Sequence, residues 1–222
     1  MIVDFKNKEL KETFNNIIER FYDLKGDNVY DQYQNYYSAK NKPLEWYASE
    51  ECLRDFYLPK WEEHDGFPSD YKAVPVNNIV VHSAAPWREF EFYVRKELVS
   101  LVGANRCALF NYYQGDGLTG WHTNWNASGY QIVFSWSPTG DGYFRYLDKE
   151  KDKIVTLEDK KNDWVCRYYK FGKINEPMEH CWHAAYTESD RFTICYLFQD
   201  DGHKQGTQLE LLKDFIYELE TP

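Results

Sequence analysis

Two histidine-containing clusters in the second half of the chain have side chains that could bind a metal ion. They are Trp121-His122-Thr123-Asn124-Trp125 and His180-Cys181-Trp182-His183. Residues two apart on a strand point to the same face, so His122 and Asn124 are expected to face a common interior. Neutral imidazole is the commonest metal ligand in proteins. Taken singly, a histidine beside tryptophans is more typical of packing, so the clusters carry weight only in combination.

Arg191 and Thr193 form a second kind of pattern, two residues apart near the end of the chain's β-rich region. An arginine fork and a hydroxyl group on one face of a strand could bind a carboxylate. Alternatively, Arg191 forms a salt bridge with Asp190 or Glu188. The residues alone leave both interpretations open.

A third group lies at the end of a predicted strand, where Asn111 and Tyr113 are two residues apart and so point inward together. Gly115 and Gly117 follow at once, which indicates a turn just before His122.

In this order, the three groups resemble the motif of the iron(II)/2-oxoglutarate oxygenase superfamily, in its prolyl-hydroxylase-like form. That motif is N-x-Y, a glycine-containing turn, H-x-D, a distant histidine and R-x-S/T, and the resemblance covers about residues 106–199. It implies a double-stranded β-helix and a hydroxylase-type dioxygenase that uses iron(II) with 2-oxoglutarate as co-substrate. The implied metal ligands are His122, Asn124 and His183. The residues implied to bind oxoglutarate are Arg191, Thr193, Tyr113 and Asn111.

Two histidines compete for the distal position of the motif. His183 is followed by Ala-Ala-Tyr-Thr-Glu-Ser-Asp and then Arg191, which is the context found in the family, so His183 is the preferred ligand. His180 is then a hydrogen-bonding neighbour, an alternative ligand or a surface residue. A zinc site built from His180, Cys181 and His183 is a further alternative, but this spacing is too tight for three ligands of one tetrahedral ion.

Asn124 stands where the family has a carboxylate. An amide offers iron(II) only a neutral oxygen, which lowers the expected affinity. Asn124 could still bind through its carbonyl oxygen, or Asp116 or Asp148 could replace it. The barrel could instead have lost its iron chemistry and become a non-catalytic ligand-binding or regulatory protein. Halogenating relatives lack this carboxylate, but they have a smaller residue than Asn in its place.

The expected substrate is a small molecule or a protein side chain. Three tryptophans are candidates for the wall of the substrate pocket: Trp121, Trp125 and Trp136. Alternatively, these tryptophans alternate between the core and the outer surface. The irregular region at 27–83 is expected to supply much of a substrate lid.

The elements that must position these residues are helices first and strands afterwards. Apolar periodicity predicts helices at 4–24, capped by Asp4, and at about 86–103 and 208–219. Short β-rich runs predict strands at 107–113, 131–136, 142–146, 153–157, 164–169 and 192–198. The predicted fold is α+β but mainly β, a jelly roll or cupin-like double-stranded β-helix with packing helices. One domain is expected, with helices and an irregular layer at 1–105, the jelly roll at 106–199 and a closing helix at 200–222.

Composition limits the function classes for this chain of 222 residues. The net charge of −10 argues against nucleic acid, because phosphate binding requires clustered Lys and Arg. No apolar run approaches the roughly 20 residues that span a bilayer. The five cysteines are scattered and lack a C-x-x-C pair, which favours a reduced, cytoplasmic setting. The pattern does not indicate an oligomeric state.

Overall fold

The computed structural model describes residues 1–25, 35–37, 42–76, 85–176, 179–199 and 207–222. The strands are β1 (Ile2–Val3), β2 (Asn35–Tyr37), β3 (Tyr71–Pro75), β4 (Arg106–Tyr113), β5 (Gly117–His122), β6 (Gly129–Ser137), β7 (Gly142–Asp148), β8 (Lys153–Glu158), β9 (Asp163–Phe171), β10 (His183–Thr187) and β11 (Arg191–Phe198). The helices are α1 (Lys8–Lys25), α2 (Ala85–Phe92), α3 (Leu98–Val102) and α4 (Thr207–Glu220). Helical turns occupy Leu44–Ala48, Glu50–Cys52, Leu53–Tyr57 and Leu58–Glu63.

The eight strands β4 to β11 form two antiparallel layers of four. One layer has the order β4-β11-β6-β9 and the other β5-β10-β7-β8. From β4 to β11 consecutive strands therefore alternate between layers, except that β7 and β8 form a hairpin within one layer, and this is the winding of a double-stranded β-helix. Strand β3 joins the layers at one edge, because Tyr71 and Lys72 pair with β5 while Val74 and Pro75 pair with β4. The predicted mainly β jelly roll with packing helices is confirmed.

The helices pack on the outer face of the β4-β11-β6-β9 layer. The apolar stripe of α1 is buried there, and its rings contact the sheet at Phe14–Phe134 and Phe21–Phe192, with centroids 4.4 and 4.6 Å apart. The expected cap at Asp4 is wrong, since α1 begins later and Leu10 donates its N–H to the side chain of Asn7.

The second predicted helix is interrupted near its middle. A π-helical turn at Tyr93–Glu97 separates α2 from α3, and the helical run ends at Gly103, which adopts a left-handed φ of 73°. Glycine takes this conformation without steric cost, as at many helix ends. The turn places Val94 so that its carbonyl accepts a hydrogen bond from Tyr196 of β11 at 3.2 Å.

The helical turns at 44–63 cover the outer face of the β5-β10-β7-β8 layer. Tyr47, Ala48 and Leu53 pack there against Leu118 and Trp121. This part of the region 27–83 therefore completes a second core rather than a lid. Residues 26–34, 38–41 and 77–84 lie outside the described residues.

Within the described ranges, no helix combines the length and apolarity needed to cross a membrane. All five cysteines lie in described segments, and each is a free thiol.

Candidate metal and carboxylate site

A cavity of about 680 Å³ lies between the two layers of the jelly roll. It is lined by the inward faces of β4, β5, β6, β10 and β11, by Phe67 and Pro68, and by the turn that follows β5. Residues from all three sequence groups meet on its wall, although they are distant along the chain.

His122 and His183 face each other at one side of this cavity. His122 is the last residue of β5 and pairs in register with His183, the first residue of β10. Their ring centroids are 3.9 Å apart, and each side chain is 6% exposed. The Nδ1 atom of His122 donates to the Gly120 carbonyl at 2.9 Å, and that of His183 to the Cys181 carbonyl at 2.8 Å. These bonds leave both Nε2 atoms with a lone pair, the arrangement that orients imidazole toward a metal.

Burial keeps both imidazoles neutral. Burial lowers the pKa of His183 to about 4. Burial also holds the pKa of His122 well below its ordinary value, and the neighbouring His183 lowers it further. Neutral imidazole is the form that binds a metal ion.

Asn124 lies beside the histidine pair, but it follows the end of β5 and is not part of the strand as the sequence pattern predicted. Strand β5 ends at His122, and Asn124 adopts a left-handed conformation with φ 56° and ψ 23°. Its backbone N–H donates to the Gly66 carbonyl at 2.9 Å. Its Nδ2 atom lies 3.2 Å from Nε2 of His183. Because that Nε2 carries a lone pair, the Asn124 amide donates the hydrogen bond.

The carboxylates considered as replacements for Asn124 lie elsewhere. Asp116 accepts a hydrogen bond from Tyr186 at 3.0 Å and is 3.7 Å from Lys72. Asp148 pairs with Lys151 at 2.9 Å. In the described part of the chain, no three His, Cys, Asp or Glu side chains are placed to hold one metal ion.

His180 does not join the pair. Its Nε2 bonds to the Lys173 carbonyl at 2.8 Å, and it is not among the residues that line the cavity. Cys181 contacts His183 through its backbone carbonyl. The alternative zinc site of His180, Cys181 and His183 is therefore not assembled in these described segments.

Arg191 forms a buried network that the sequence did not indicate. Its Nε lies 2.6 Å from Oδ2 of Asp159, and its Nη1 donates to Oγ1 of Thr193 at 2.5 Å. Ser135 accepts hydrogen bonds from Arg191 at 3.1 Å and from Arg167 at 3.0 Å. Arg167 also binds Asp159, so two buried guanidinium groups share one carboxylate and the network carries a net positive charge. The Nη1 edge and Thr193 could bind an anion.

The alternative ion-pair partners of Arg191 are wrong. Asp190 accepts hydrogen bonds from the hydroxyl groups of Tyr22 and Tyr112 at 2.8 and 2.9 Å, on the helix side of the sheet. No ion pair between Arg191 and Glu188 is formed within the described structure.

Tyr113 and Asn111 lie beside Arg191 on the cavity wall. The Tyr113 hydroxyl is 2.8 Å from Oγ1 of Thr119. The same hydroxyl accepts a hydrogen bond from Nδ2 of Asn111 at 3.4 Å. The guanidinium of Arg191 stands 5.6 Å from the centroid of the Tyr113 ring. A Cβ at Gly117 would lie 2.7 Å from that of Tyr113, so glycine is required where the chain turns back.

The three tryptophans lie outside the cavity lining. Trp121 is fully buried in the outer core and donates to the Ser49 carbonyl at 2.7 Å. Trp125 donates to the His64 carbonyl at 3.2 Å. Trp136 packs on the helix side of β6, near Tyr22. Their expected role as a pocket wall is therefore not supported by their positions.

The chain is only weakly similar to proteins of known structure. No family model matches the chain, and no curated protein matches it. A prolyl-4-hydroxylase from Pseudomonas putida aligns at 11% identity and a TM-score of 0.38, over 88% of this chain and 89% of that one. The auxin-oxidising dioxygenase 1 of Arabidopsis thaliana aligns at 11% identity and a TM-score of 0.36, over 87% and 86%. Peruvianin-I, a cysteine peptidase from Thevetia peruviana latex, aligns at 10% identity and a TM-score of 0.27, over 39% of this chain and 46% of that one. These values bear on neither activity nor ligand, and the fold assignment rests on the strand order.

Proposed function

We propose that this protein is an iron(II)- and 2-oxoglutarate-dependent dioxygenase of the hydroxylase type, acting on a small molecule or a protein side chain. The observation that carries the proposal is the pairing of His122 with His183, whose two neutral rings present Nε2 lone pairs to the cavity that Arg191 and Thr193 also line. Two imidazoles supply two of the three ligands of the 2-His-1-carboxylate iron(II) site that such chemistry uses.

The two imidazole nitrogens are suitable ligands for iron(II), but the site lacks the negative charge of a carboxylate ligand. His122 and His183 would hold iron(II) through Nε2. Asn124 would contribute its carbonyl oxygen, which requires the amide to rotate, because its Nδ2 now faces His183. Bound iron(II) supplies the activation of O₂ that couples conversion of oxoglutarate to succinate and CO₂ with substrate oxidation.

The remaining residues of the site would bind and orient oxoglutarate. Arg191 donates from Nη1, and Thr193 from its hydroxyl, to the distal carboxylate of oxoglutarate. Asp159 holds the other edge of the guanidinium and fixes its plane. The aromatic rings of Phe144 and Phe171, with centroids 5.5 and 5.0 Å from that of the His183 ring, pack beside the histidine pair and hold His183 in place.

The test is an anaerobic titration of the purified protein with iron(II) in the presence of oxoglutarate. A chelated complex gives a visible metal-to-ligand charge-transfer band. We expect this band in the wild type, its loss in His122→Ala and His183→Ala, and its weakening in Arg191→Ala. Trp136→Phe, on the helix side of β6, is the control and should retain it.

The outcomes separate the proposal from its alternative. Oxoglutarate that binds without the band and is never converted to succinate would assign the barrel to ligand binding without catalysis. Failure to bind either iron(II) or oxoglutarate would refute the oxygenase assignment and leave only the fold.

A further inference from the structure

The charged side chains that line the cavity have one sign. The chain has 36 Asp and Glu against 26 Lys and Arg. Among the described residues of the cavity wall, however, the charged side chains are Arg95, Arg106 and Arg191, and none is Asp or Glu. Walls of one sign raise the local concentration of ligands of the opposite sign. The cavity therefore favours anions although the protein as a whole repels them.

The three arginines differ in their availability. Arg191 is engaged by Asp159 on one edge. Arg95 pairs through Nε with Glu91 at 2.9 Å. Arg106 is exposed, and within the described segments no carboxylate lies at ion-pair distance from it. Arg106 is thus the cation that an incoming anion can reach at the least cost.

The strand register places Arg106 on the inward face, at the opposite end of the cavity from Arg191. Arg106 pairs with Leu197, whereas the adjacent pair, Cys107 and Tyr196, packs on the helix side, so Arg106 faces the other way. Arg191 pairs with Tyr113 at the far end of β4, roughly 23 Å along the strand.

The histidine pair lies between these two arginines. Strand β5 turns back after β4 and ends at His122, toward the Arg106 end. The wall between the histidines and Arg106 is mainly apolar and includes Leu109, Val133, Phe171 and Cys195. A molecule seated there would have an apolar body beside the histidines and its charge at the mouth.

We propose that the substrate of this cavity is a small organic oxyanion with an apolar body, whose acidic group binds Arg106. The identification as a substrate rests on the proposed function, whereas the anion site itself does not require the metal. The test therefore uses the full chain without metal or oxoglutarate. The probes are 4-phenylbutyrate and its neutral counterpart 4-phenylbutyramide, with binding followed by backbone-amide NMR.

The acid should bind about fivefold more tightly than the amide, equivalent to about 1 kcal/mol, as for a partly exposed charge pair. Arg106→Gln should abolish this preference and leave the affinity for the amide unchanged. Arg88→Gln, an exposed arginine of α2 outside the cavity lining, should retain it. Thr193→Val, at the opposite end, tests instead whether the acid binds at Arg191.

The inference would be overturned by equal affinities for acid and amide, by a preference that survives Arg106→Gln, or by no binding of the acid up to its solubility limit. Loss of the preference in Thr193→Val alone would place the anion at Arg191 and likewise refute the site at Arg106. If the protein prefers the acid through Arg106 but shows no charge-transfer band, the anion site is supported and the oxygenase proposal is refuted.

Discussion

Asp159 lies between two buried arginines, with Oδ2 2.6 Å from Nε of Arg191 and Oδ1 3.2 Å from Nη2 of Arg167. The side chains of all three residues are at most 1% exposed. Burial alone would raise the pKa of Asp159, but the charges and hydrogen bonds of Arg191 and Arg167 outweigh it and hold the pKa below its ordinary value. This one carboxylate therefore orients the arginine that faces the cavity.

Replacing Asp159 by Asn should destabilise the protein strongly, because two guanidinium groups would remain buried without a counter-charge. Removing one partner of a buried ion pair costs about 3–5 kcal/mol. The free energy of unfolding in urea measures this loss. Asp152→Asn, which removes a surface pair with Arg54, is the matched control and should change it by less than about 1 kcal/mol. Equal effects of the two changes would contradict the structural role of Asp159.

Asn124→Asp should raise the affinity for iron(II), because it places a negative charge beside the two Nε2 atoms. We expect a gain of at least about tenfold, since a carboxylate and a divalent cation about 4 Å apart attract each other by about 2 kcal/mol even at the dielectric constant of water. Aspartate tolerates the left-handed backbone of this position nearly as well as asparagine.

The measurement is an anaerobic iron(II) titration. Asn126→Asp is the control, because it adds the same charge to the next turn of the cavity wall. It distinguishes direct binding of iron(II) by residue 124 from electrostatic attraction of the cation to the cavity. An equal gain in both variants would show that Asn124 does not face the metal.

The fold was predictable where a sequence pattern was long enough. The β-rich runs of β6, β9 and β11 and the apolar stripe of α1 each extend over enough residues to identify the element. Strand β10 is absent from the predicted strands, because two of its five residues, Ala184 and Ala185, carry little β signal. Its strand character comes from pairing on both sides, with β5 and β7.

The site was predictable only where it resembles a motif. His122, His183, Arg191 and Thr193 line one cavity as the motif implies. Asp159 belongs to no motif and lies 32 residues before Arg191, so only the folded chain brings them together. Trp121 was misplaced for a related reason: its neighbour His122 faces the cavity, and alternation then directs the tryptophan to the outer core.

Thr193→Val should weaken oxoglutarate binding. The hydroxyl accepts from Nη1 of Arg191 and lies on the cavity wall, so its loss removes one ligand contact and frees one arginine donor. We expect a fall in oxoglutarate affinity of about fivefold to tenfold, measured calorimetrically with iron(II) present and oxygen absent. Thr156→Val is the control, since Thr156 also accepts from an arginine, Arg145, but outside the cavity. Unchanged binding in Thr193→Val would remove this residue from the site.

The stability of the metal-free protein should fall as the pH decreases from about 6.5 to about 4. The pKa of His183 is lowered to about 4 by burial, whereas an unfolded chain has an ordinary histidine pKa of about 6.5. Between these values the unfolded chain binds a proton that the folded chain excludes, so protonation favours unfolding. A shift of this size corresponds to about 3 kcal/mol. Above the upper value both states are neutral, and the contribution is fully present.

Urea unfolding at a series of pH values measures this dependence. The double variant His122→Gln/His183→Gln should show a shallower loss, because its glutamines do not titrate, while groups such as Asp159 contribute equally to both proteins and cancel in the comparison. His180→Gln, whose side chain bonds to the Lys173 carbonyl outside the cavity, should keep the wild-type slope. Parallel curves for the wild type and the double variant would show that the pair is not held neutral, and would remove the physical basis for treating its Nε2 atoms as ready metal ligands.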